Sequence, residues 1–317
     1  MKILVTGGAG FIGSHIVEHL LDREDVEEVR VLDNFSTGFK RNIEPFLSNP
    51  KFTLIEGDIR SVEDCEKAVA GVDAVSHQAA LGSVPRSIND PITSHNVNVN
   101  GFLNILEAVR KFGVKKMAYA SSSSVYGDLA DSPKVEERTG KLLSPYAATK
   151  MANELYAEVY AKTYGIQLIG FRYFNVFGPR QDPDGPYAAV IPLFIKAALN
   201  NDKPTINGDG SITRDFTFIK NVINANISAL TNIGLEQKAY VFNVACGKSI
   251  NLNKIWEYIT NKLNISQTPI YGPQRKGDIL HSLADVTNLR KHLNYTEVVN
   301  VEEGLNITVD WYLQQKK

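Results

Sequence analysis

A doubly wound parallel α/β sheet with a smaller mixed α/β lobe is the fold class this sequence predicts, on three observations. Short apolar runs alternate with amphipathic stretches as far as Asn175. A glycine-rich turn follows the first of those runs. Beyond Asn175 the alternation stops and proline and glycine thicken. Alternation of this kind implies parallel strands joined by helices that cover both faces of a sheet.

The elements follow in order. Ile3-Leu4-Val5 reads as a buried strand, and Phe11 to Leu21 carries Phe11, Ile12, Ile16, Val17, Leu20 and Leu21 at helical spacing. Val29 to Leu32 is a second strand and Phe52 to Ile55 a third. Val62 to Val69 suits a helix. Ala74 to His77 and Met117 to Ala120 are further strands, separated by a long helix from near Ile92 to Val109. Ser144 stands as N-cap and Pro145 as first residue of a helix that runs to Tyr164. Leu168 to Tyr173 closes the set. Gly178-Pro179 and Pro183-Asp184-Gly185-Pro186 then break the rhythm, and Val241 to Val244 is one more strand. Residues 1–175, with a returning segment near 215–245, are expected to form the first domain. Residues 176–214 and 246–317 form the smaller lobe, whose long loops are expected to be functional.

Composition narrows the function classes. The chain has 317 residues, 43% hydrophobic and 22% charged, which is enough apolar material for a sizeable core. A net charge of -1 provides no field to draw it to nucleic acid or an anionic membrane. Cys65 and Cys246 are its only cysteines, too few for a disulfide scaffold. Met1 to Thr6 already reads as a strand, leaving no room for a signal peptide, and no apolar run approaches the length of a membrane span. A cytoplasmic location is therefore expected. The six histidines (His15, His19, His77, His95, His281, His292) form no ligand-spaced cluster, so no metal is expected.

Gly8-Ala9-Gly10-Phe11-Ile12-Gly13 matches G-x-G-x-x-G, and Gly7 extends it. The pattern follows a strand and opens a helix, as dinucleotide binding in a Rossmann fold requires: glycine lets the backbone approach a pyrophosphate held at the helix N-terminus. Asp33 ends the second strand, where a carboxylate can bind the adenosine ribose hydroxyls and repel the extra phosphate of NADP. NAD is the cofactor expected. Asp58, after the third strand, suits a contact to the adenine amine.

Tyr146 and Lys150 are four apart on the helix beginning at Pro145, so they share a face. A phenol is a poor base at neutral pH; a neighbouring ammonium and an oxidised nicotinamide both favour its phenolate. Ser121-Ser122-Ser123-Ser124-Val125-Tyr126-Gly127 follows a strand directly, placing hydroxyls at the carboxyl end of the sheet, where ligands of open α/β folds bind.

The glycine pattern, Asp33-Asn34, Asp58-Ile59, the serine run and Tyr146-x-x-x-Lys150 together resemble the extended short-chain dehydrogenase/reductases that act on nucleotide sugars. Ala80 to Ser87, Arg172 to Gly178, Gln181 to Pro192 and Gly277 to Asp285 narrow this. They look like the bacterial UDP-N-acetylglucosamine 4-epimerases of surface-polysaccharide synthesis.

The resemblance implies interconversion of UDP-GlcNAc and UDP-GalNAc, and more weakly UDP-Glc and UDP-Gal, through a transient 4-keto sugar with bound NAD. Tyr146 would be the base, Lys150 its partner, and Ser122 the hydroxyl partner, with Ser123 and Ser124 beside it. Gly7, Gly10, Phe11, Ile12, Gly13, Asp33, Asn34, Ser36, Thr37, Gly38, Asp58, Ile59, Gln78, Ala79, Ala80, Asn98, Tyr146, Lys150 and Tyr173 would hold NAD. Arg214 and Arg275 would clamp the diphosphate, Asp278 a ribose, and Ala189, Val190, Ile206 and Asn207 the base. Asn175 would contact the diphosphate or sugar. Ser282 would leave room for an N-acetyl group where a tyrosine would crowd it. Gly82, Ser83, Ser123, Asn175 and Gln181 match the members that accept acetylated sugars. Dehydratases and uronate decarboxylases, which share the first oxidation, usually carry acids after the catalytic hydroxyl; here that place holds Ser123-Ser124. A non-catalytic NAD-binding regulator would be expected to lose Tyr146 and Lys150. Relatives commonly form homodimers through two long helices, so the partners implied are a UDP-sugar and a second copy of the chain.

Overall fold

The computed structural model describes residues 1–185, 187–231, 235–236, 238–273, 281–293, 295–296 and 298–316. The strands in chain order are β1 (Lys2–Thr6), β2 (Glu28–Asp33), β3 (Phe52–Glu56), β4 (Ala74–His77), β5 (Lys116–Ser122), β6 (Gln167–Tyr173), β7 (Val176–Phe177), β8 (Thr205–Asn207), β9 (Thr213–Asp215), β10 (Thr217–Phe218), β11 (Ala239–Val244), β12 (Ser249–Asn251) and β13 (Ile270–Gly272). The helices are α1 (Phe11–Leu21), α2 (Val62–Val69), α3 (Val84–Asn89), α4 (Pro91–His95), α5 (Gly101–Lys111), α6 (Pro145–Tyr164), α7 (Val190–Leu199), α8 (Ile219–Thr231), α9 (Leu252–Leu263), α10 (Thr287–Leu293) and α11 (Val301–Gln315).

Seven strands pair in the order β11-β6-β5-β4-β1-β2-β3, and every pairing is parallel. The apolar runs read from the sequence are buried on both faces because side chains alternate across a strand. Ile3 and Val5 pack on one side with Ile16, Val17 and Leu20 of α1 and Ile223 of α8. Leu4 points the other way, toward Val69 of α2 and Phe102, Ile105 and Leu106 of α5. The direction in which strands are added to the sheet reverses where β1 neighbours β4, so the carboxyl ends of those strands open a crevice at the switch point.

Helix α6 begins and ends where the residues dictate. The Ser144 hydroxyl accepts from the Ala147 N–H, Pro145 opens the first turn, and Gly165 ends it at φ 69°. The long helix expected near Ile92 to Val109 is corrected: α4 and α5 are joined by a π-helical turn, Asn96–Asn100. That turn directs Asn98 inward, where its Nδ2 donates to Leu81 O and Thr149 Oγ1 and its Oδ1 accepts from Leu81 N–H. Single π turns of this kind commonly sit at functional sites.

Beyond β6 the chain leaves the sheet and returns. Ala239–Val244 pairs with Leu168–Tyr173 as the outer strand, and α8 lies against α1. Helices α7, α9 and α11 pack together, flanked by three two-stranded ribbons, β7 with β10, β8 with β13 and β9 with β12.

Candidate active site

The crevice at the switch point has a volume of about 340 Å³. Gly7, Gly10, Phe11, Ile12 and Gly13 form one wall, Asp33, Asn34, Ser36, Thr37 and Gly38 a second, and Asp58 and Ile59 a third; Gln78, Ala79, Ala80 and Gly82 close it. Gly7 has φ +69°, and a Cβ there would lie 2.8 Å from the Ala79 backbone. A Cβ on Gly13 would overlap the Gly7 carbonyl oxygen. Gly10 caps α1 with no side-chain bond, which leaves the first helical N–H groups facing the crevice. Leu32, Leu81 and Val97 also line it; as ordinary apolar residues they carried no signal.

The Asp33 carboxylate is nearly buried and shapes the loop itself. Its Oδ2 accepts from Ala9 N–H and its Oδ1 from Phe35 N–H, each at 2.8 Å. Burial raises its pKa, and those two donors oppose the rise. Asp58 accepts from Arg60 and from Asn34 Nδ2 (2.8 Å); chiefly the Arg60 bond holds its carboxyl at about 2.

Asn98 and Tyr173 are placed behind the crevice rather than in its lining. Asn98 clamps the Leu81 backbone, as above. Tyr173 donates to Gln78 Oε1 (3.2 Å) and accepts from Asn226 Nδ2 (2.8 Å), so it fixes Gln78 from the rear.

At the carboxyl end of β5 the hydroxyl-bearing residues converge on α6. Ser122 lies within hydrogen-bonding reach of the Tyr146 phenol, whose pKa burial raises and Ser122 lowers. Lys150 Nζ is buried, 6.0 Å from the Tyr146 ring centroid, and donates to Ala120 O at 2.8 Å. Desolvation brings its pKa down to about 8, against an upward pull from Glu154. Ser122 also caps the short turn Ser123–Tyr126 by accepting from Ser124 N–H. The Ser124 hydroxyl is buried with no partner among the described residues. Tyr146 N–H donates to Ser87 Oγ of α3 at 3.0 Å, tying the start of α6 to the loop that carries Gly82 and Ser83. Ser83 has φ +94° and caps α3. A non-glycine residue at such an angle marks strain of the kind found at functional sites.

A second cavity, about 510 Å³, is lined by Asn175, Val190, Asn207 and Arg214, together with apolar residues of α7 such as Leu193 and Phe194. Ala189 caps α7 at its edge. The Ile206 side chain, expected beside a base, is instead packed in the core, because its position in β8 turns it inward. Gln181 donates from Nε2 to Val176 O, and its Oε1 is buried with no partner among the described residues. Ser282 N–H donates to Thr213 O (3.2 Å), next to Arg214. Arg275 and Asp278 lie outside the described residues.

Residues 3–245 match the model of the NAD dependent epimerase/dehydratase family. The chain belongs to that family. A UDP-N-acetylglucosamine 4-epimerase from Methanobrevibacter ruminantium, solved with UDP-N-acetylmuramic acid, is 40% identical with a TM-score of 0.91, covering 99% of this chain and 98% of that one. A UDP-glucose 4-epimerase of Thermus thermophilus, solved with NAD, is 35% identical with a TM-score of 0.87 and 99% coverage of both chains. The UDP-glucose 4-epimerase of Mycolicibacterium smegmatis is 36% identical over 98% of each chain. A dTDP-glucose 4,6-dehydratase of Streptomyces venezuelae also matches, at 29% identity, so shared fold does not by itself select the reaction.

This epimerase/dehydratase chain is an NAD-dependent enzyme, similar to the UDP-sugar 4-epimerases it matches, and its crevice fits the cofactor. The glycines leave the cradle that a pyrophosphate needs, and the open start of α1 faces it. Two buried polar residues near these cavities could not be read from the sequence. Asp215 accepts from Cys246, Gly247 and Ala284 N–H, and burial raises it to about 7. Glu154 forms a buried pair with Arg172, with side chains 7% and 5% exposed. The one available signal was Arg172, a charged residue in the otherwise apolar end of β6; Asp215 and Glu154 sit in polar stretches that give none. Among the described residues no group of three or more His, Cys, Asp or Glu could hold a metal.

Proposed function

We propose that the chain is a UDP-N-acetylglucosamine 4-epimerase, interconverting UDP-GlcNAc and UDP-GalNAc, and more slowly UDP-Glc and UDP-Gal. The observation that carries this is the Ser122–Tyr146–Lys150 cluster at the carboxyl end of β5, beside a dinucleotide crevice. The glycine loop, Asp33 and Asp58 would hold NAD, which when bound supplies reversible hydride transfer at the sugar carbon. Tyr146 takes the proton from the 4-hydroxyl and later returns it. Ser122 orients that hydroxyl, and the Lys150 ammonium lowers the cost of the phenolate. A guanidinium such as Arg214 suits a diphosphate, and residues 176–214 and 246–317 make up the sugar side. A small residue at Ser282 leaves room for the acetamido group. Ser123 and Ser124, in place of acids, support epimerisation over elimination or decarboxylation.

The same reading places the enzyme in the cytoplasm as a homodimer. Both cysteines are free and buried. No helix among the described residues is long and apolar enough to cross a membrane. Ile92 of α4 and Leu155, Tyr156 and Val159 of α6 are exposed apolar side chains beside a groove lined by Val99, Ala148 and Ala152, a surface suited to helix packing.

The test incubates purified protein separately with UDP-GlcNAc, UDP-Glc and UDP-glucuronate, without added NAD, and reads products by proton NMR. UDP-GalNAc forming fastest is expected. A 4-keto-6-deoxy sugar, a pentose or unchanged substrate would overturn the proposal.

A further inference from the structure

Strand β11 is apolar apart from one fully buried polar side chain, Asn243. A buried amide is costly unless its polar atoms are paired, and this one is paired throughout. Its Oδ1 accepts from the Tyr126 hydroxyl at 2.6 Å. Its Nδ2 donates to Lys134 O at 2.9 Å and to Asp285 O at 3.0 Å.

Those partners belong to two segments that meet nowhere in sequence. Tyr126 closes the turn that begins after Ser122, and its phenol is fully buried. Asp285 ends the stretch that carries Ser282. Around the amide the two segments are stitched backbone to backbone: Lys134 N–H donates to Leu283 O (2.7 Å), and Asp285 N–H to Lys134 O (2.9 Å). Among the described residues, Asn243 is the one side chain that bonds to the serine turn, the Lys134 backbone and the 281–285 stretch together. A hydrocarbon of equal size would fill the space but leave the Tyr126 hydroxyl without this acceptor and the two carbonyls without this donor, with only the backbone bonds between Lys134 and the 281–285 stretch remaining between those two.

We infer that Asn243 is a positioning residue, which sets Ser282 against the serine turn and so helps decide which UDP-sugar the pocket takes. This rests on the proposed epimerase function and deepens it. Asn243 acts through Ser282 and the turn. Small displacements of binding groups are expensive in catalysis, so loosening either anchor should appear first in selectivity.

The experiment compares parent, Tyr126→Phe and Asn243→Ser on UDP-GlcNAc and UDP-Glc, with Tm measured for each. Tyr126→Phe removes the bond to Asn243, and the hydroxyl's contact with Arg172, while keeping the ring, and is the milder change for the amide. It is expected to lower the ratio of kcat/KM for the acetylated over the plain sugar by about 3- to 10-fold, chiefly through KM. Asn243→Ser, which loses all three bonds, is expected to lower it further. A purely structural role would lower Tm and reduce both kcat/KM values by a common factor. A ratio within about twofold of the parent in folded Tyr126→Phe would therefore overturn the inference while leaving the epimerase standing. A parent that epimerises neither sugar would overturn both.

Discussion

The ammonium of Lys150 lies 6.0 Å from the centroid of the Tyr146 ring, one helical turn back along α6, and donates a hydrogen bond to a backbone carbonyl, Ala120 O. Burial lowers its pKa from 10.5 to about 8. Between those values the unfolded chain holds a proton that the folded chain does not, so stability contributed by this residue rises with pH across that window. The penalty is full below about 8 and fades toward 10.5. Lys150→Met is therefore expected to stabilise the cofactor-free protein at pH 7 by at most about 3 kcal/mol, with less gain at pH 10, while turnover collapses. Urea unfolding at both pH values measures it; equal stability of parent and variant at pH 7 would contradict the buried-charge penalty.

Tyr146 is held in place by its backbone as well as by its phenol: its N–H donates to Ser87 Oγ, and its carbonyl accepts from Thr149 Oγ1 at 2.7 Å. Removing only the hydroxyl should leave that frame intact. Tyr146→Phe is expected to lose at least about 100-fold in kcat, the usual lower bound for a positioned acid–base, with unchanged Tm and unchanged cofactor content by absorbance. A rate near the parent's would take Tyr146 out of the mechanism.

These local relations were legible because their residues lie close in sequence. Helix α2 spans Val62–Val69, as read from the sequence, and α6 spans Pro145–Tyr164, as its Ser144 cap and Pro145 indicate. The π turn at Asn96–Asn100 was not, because it is a change in backbone hydrogen bonding that residue spacing does not register. Helix α3 was hidden inside a motif, since Val84–Asn89 is too short for periodicity to register. Asp33 was read as a ribose ligand; that it also pins Ala9 and Phe35 is a property of the folded loop. Asp215 and Asn243 bind segments 31 to 117 residues away, distances over which pattern reading has no purchase.

The glycine turn gives a steric prediction. Gly13 leaves no room for a methyl group, because the Gly7 carbonyl and the Gly8 Cα already occupy the position. The turn must open to admit one, and opening it removes the cradle. Gly13→Ala is expected to be purified with little or no NAD while keeping its helical circular dichroism. Full NAD content in that variant would show that the turn can relax without losing the cofactor.

The Glu154–Arg172 pair closes beneath Lys150. Arg172 Nε and Nη2 donate to the two Glu154 oxygens at 3.0 and 2.8 Å, and Ser121 Oγ donates to Oε1 at 2.5 Å. Breaking a buried pair from one side leaves an uncompensated charge and costs about 3–5 kcal/mol, whereas removing both partners costs less. Glu154→Leu should thus destabilise more than Glu154→Leu with Arg172→Met. Denaturant midpoints of the single and double variants decide it; strict additivity would mean the pair is not coupled.

Selectivity offers the sharpest test of the sugar side. Ser282 is half-buried, its N–H bonds Thr213 O, and its neighbour His281 bridges to the same residue. Arg214, adjacent to Thr213, lines the second cavity. The backbone at Ser282 is thus fixed to the strand that carries Arg214, so a larger side chain there cannot easily back away. Pockets discriminate as much by clash as by attraction. Ser282→Tyr is expected to lower kcat/KM for UDP-GlcNAc at least about 10-fold, through lost access for the acetamido group, and to leave UDP-Glc within a few-fold of the parent. Equal loss on both sugars would mean that the tyrosine disturbs the site generally and that Ser282 is no gate. Loss on neither would place the acetamido group elsewhere in the cavity.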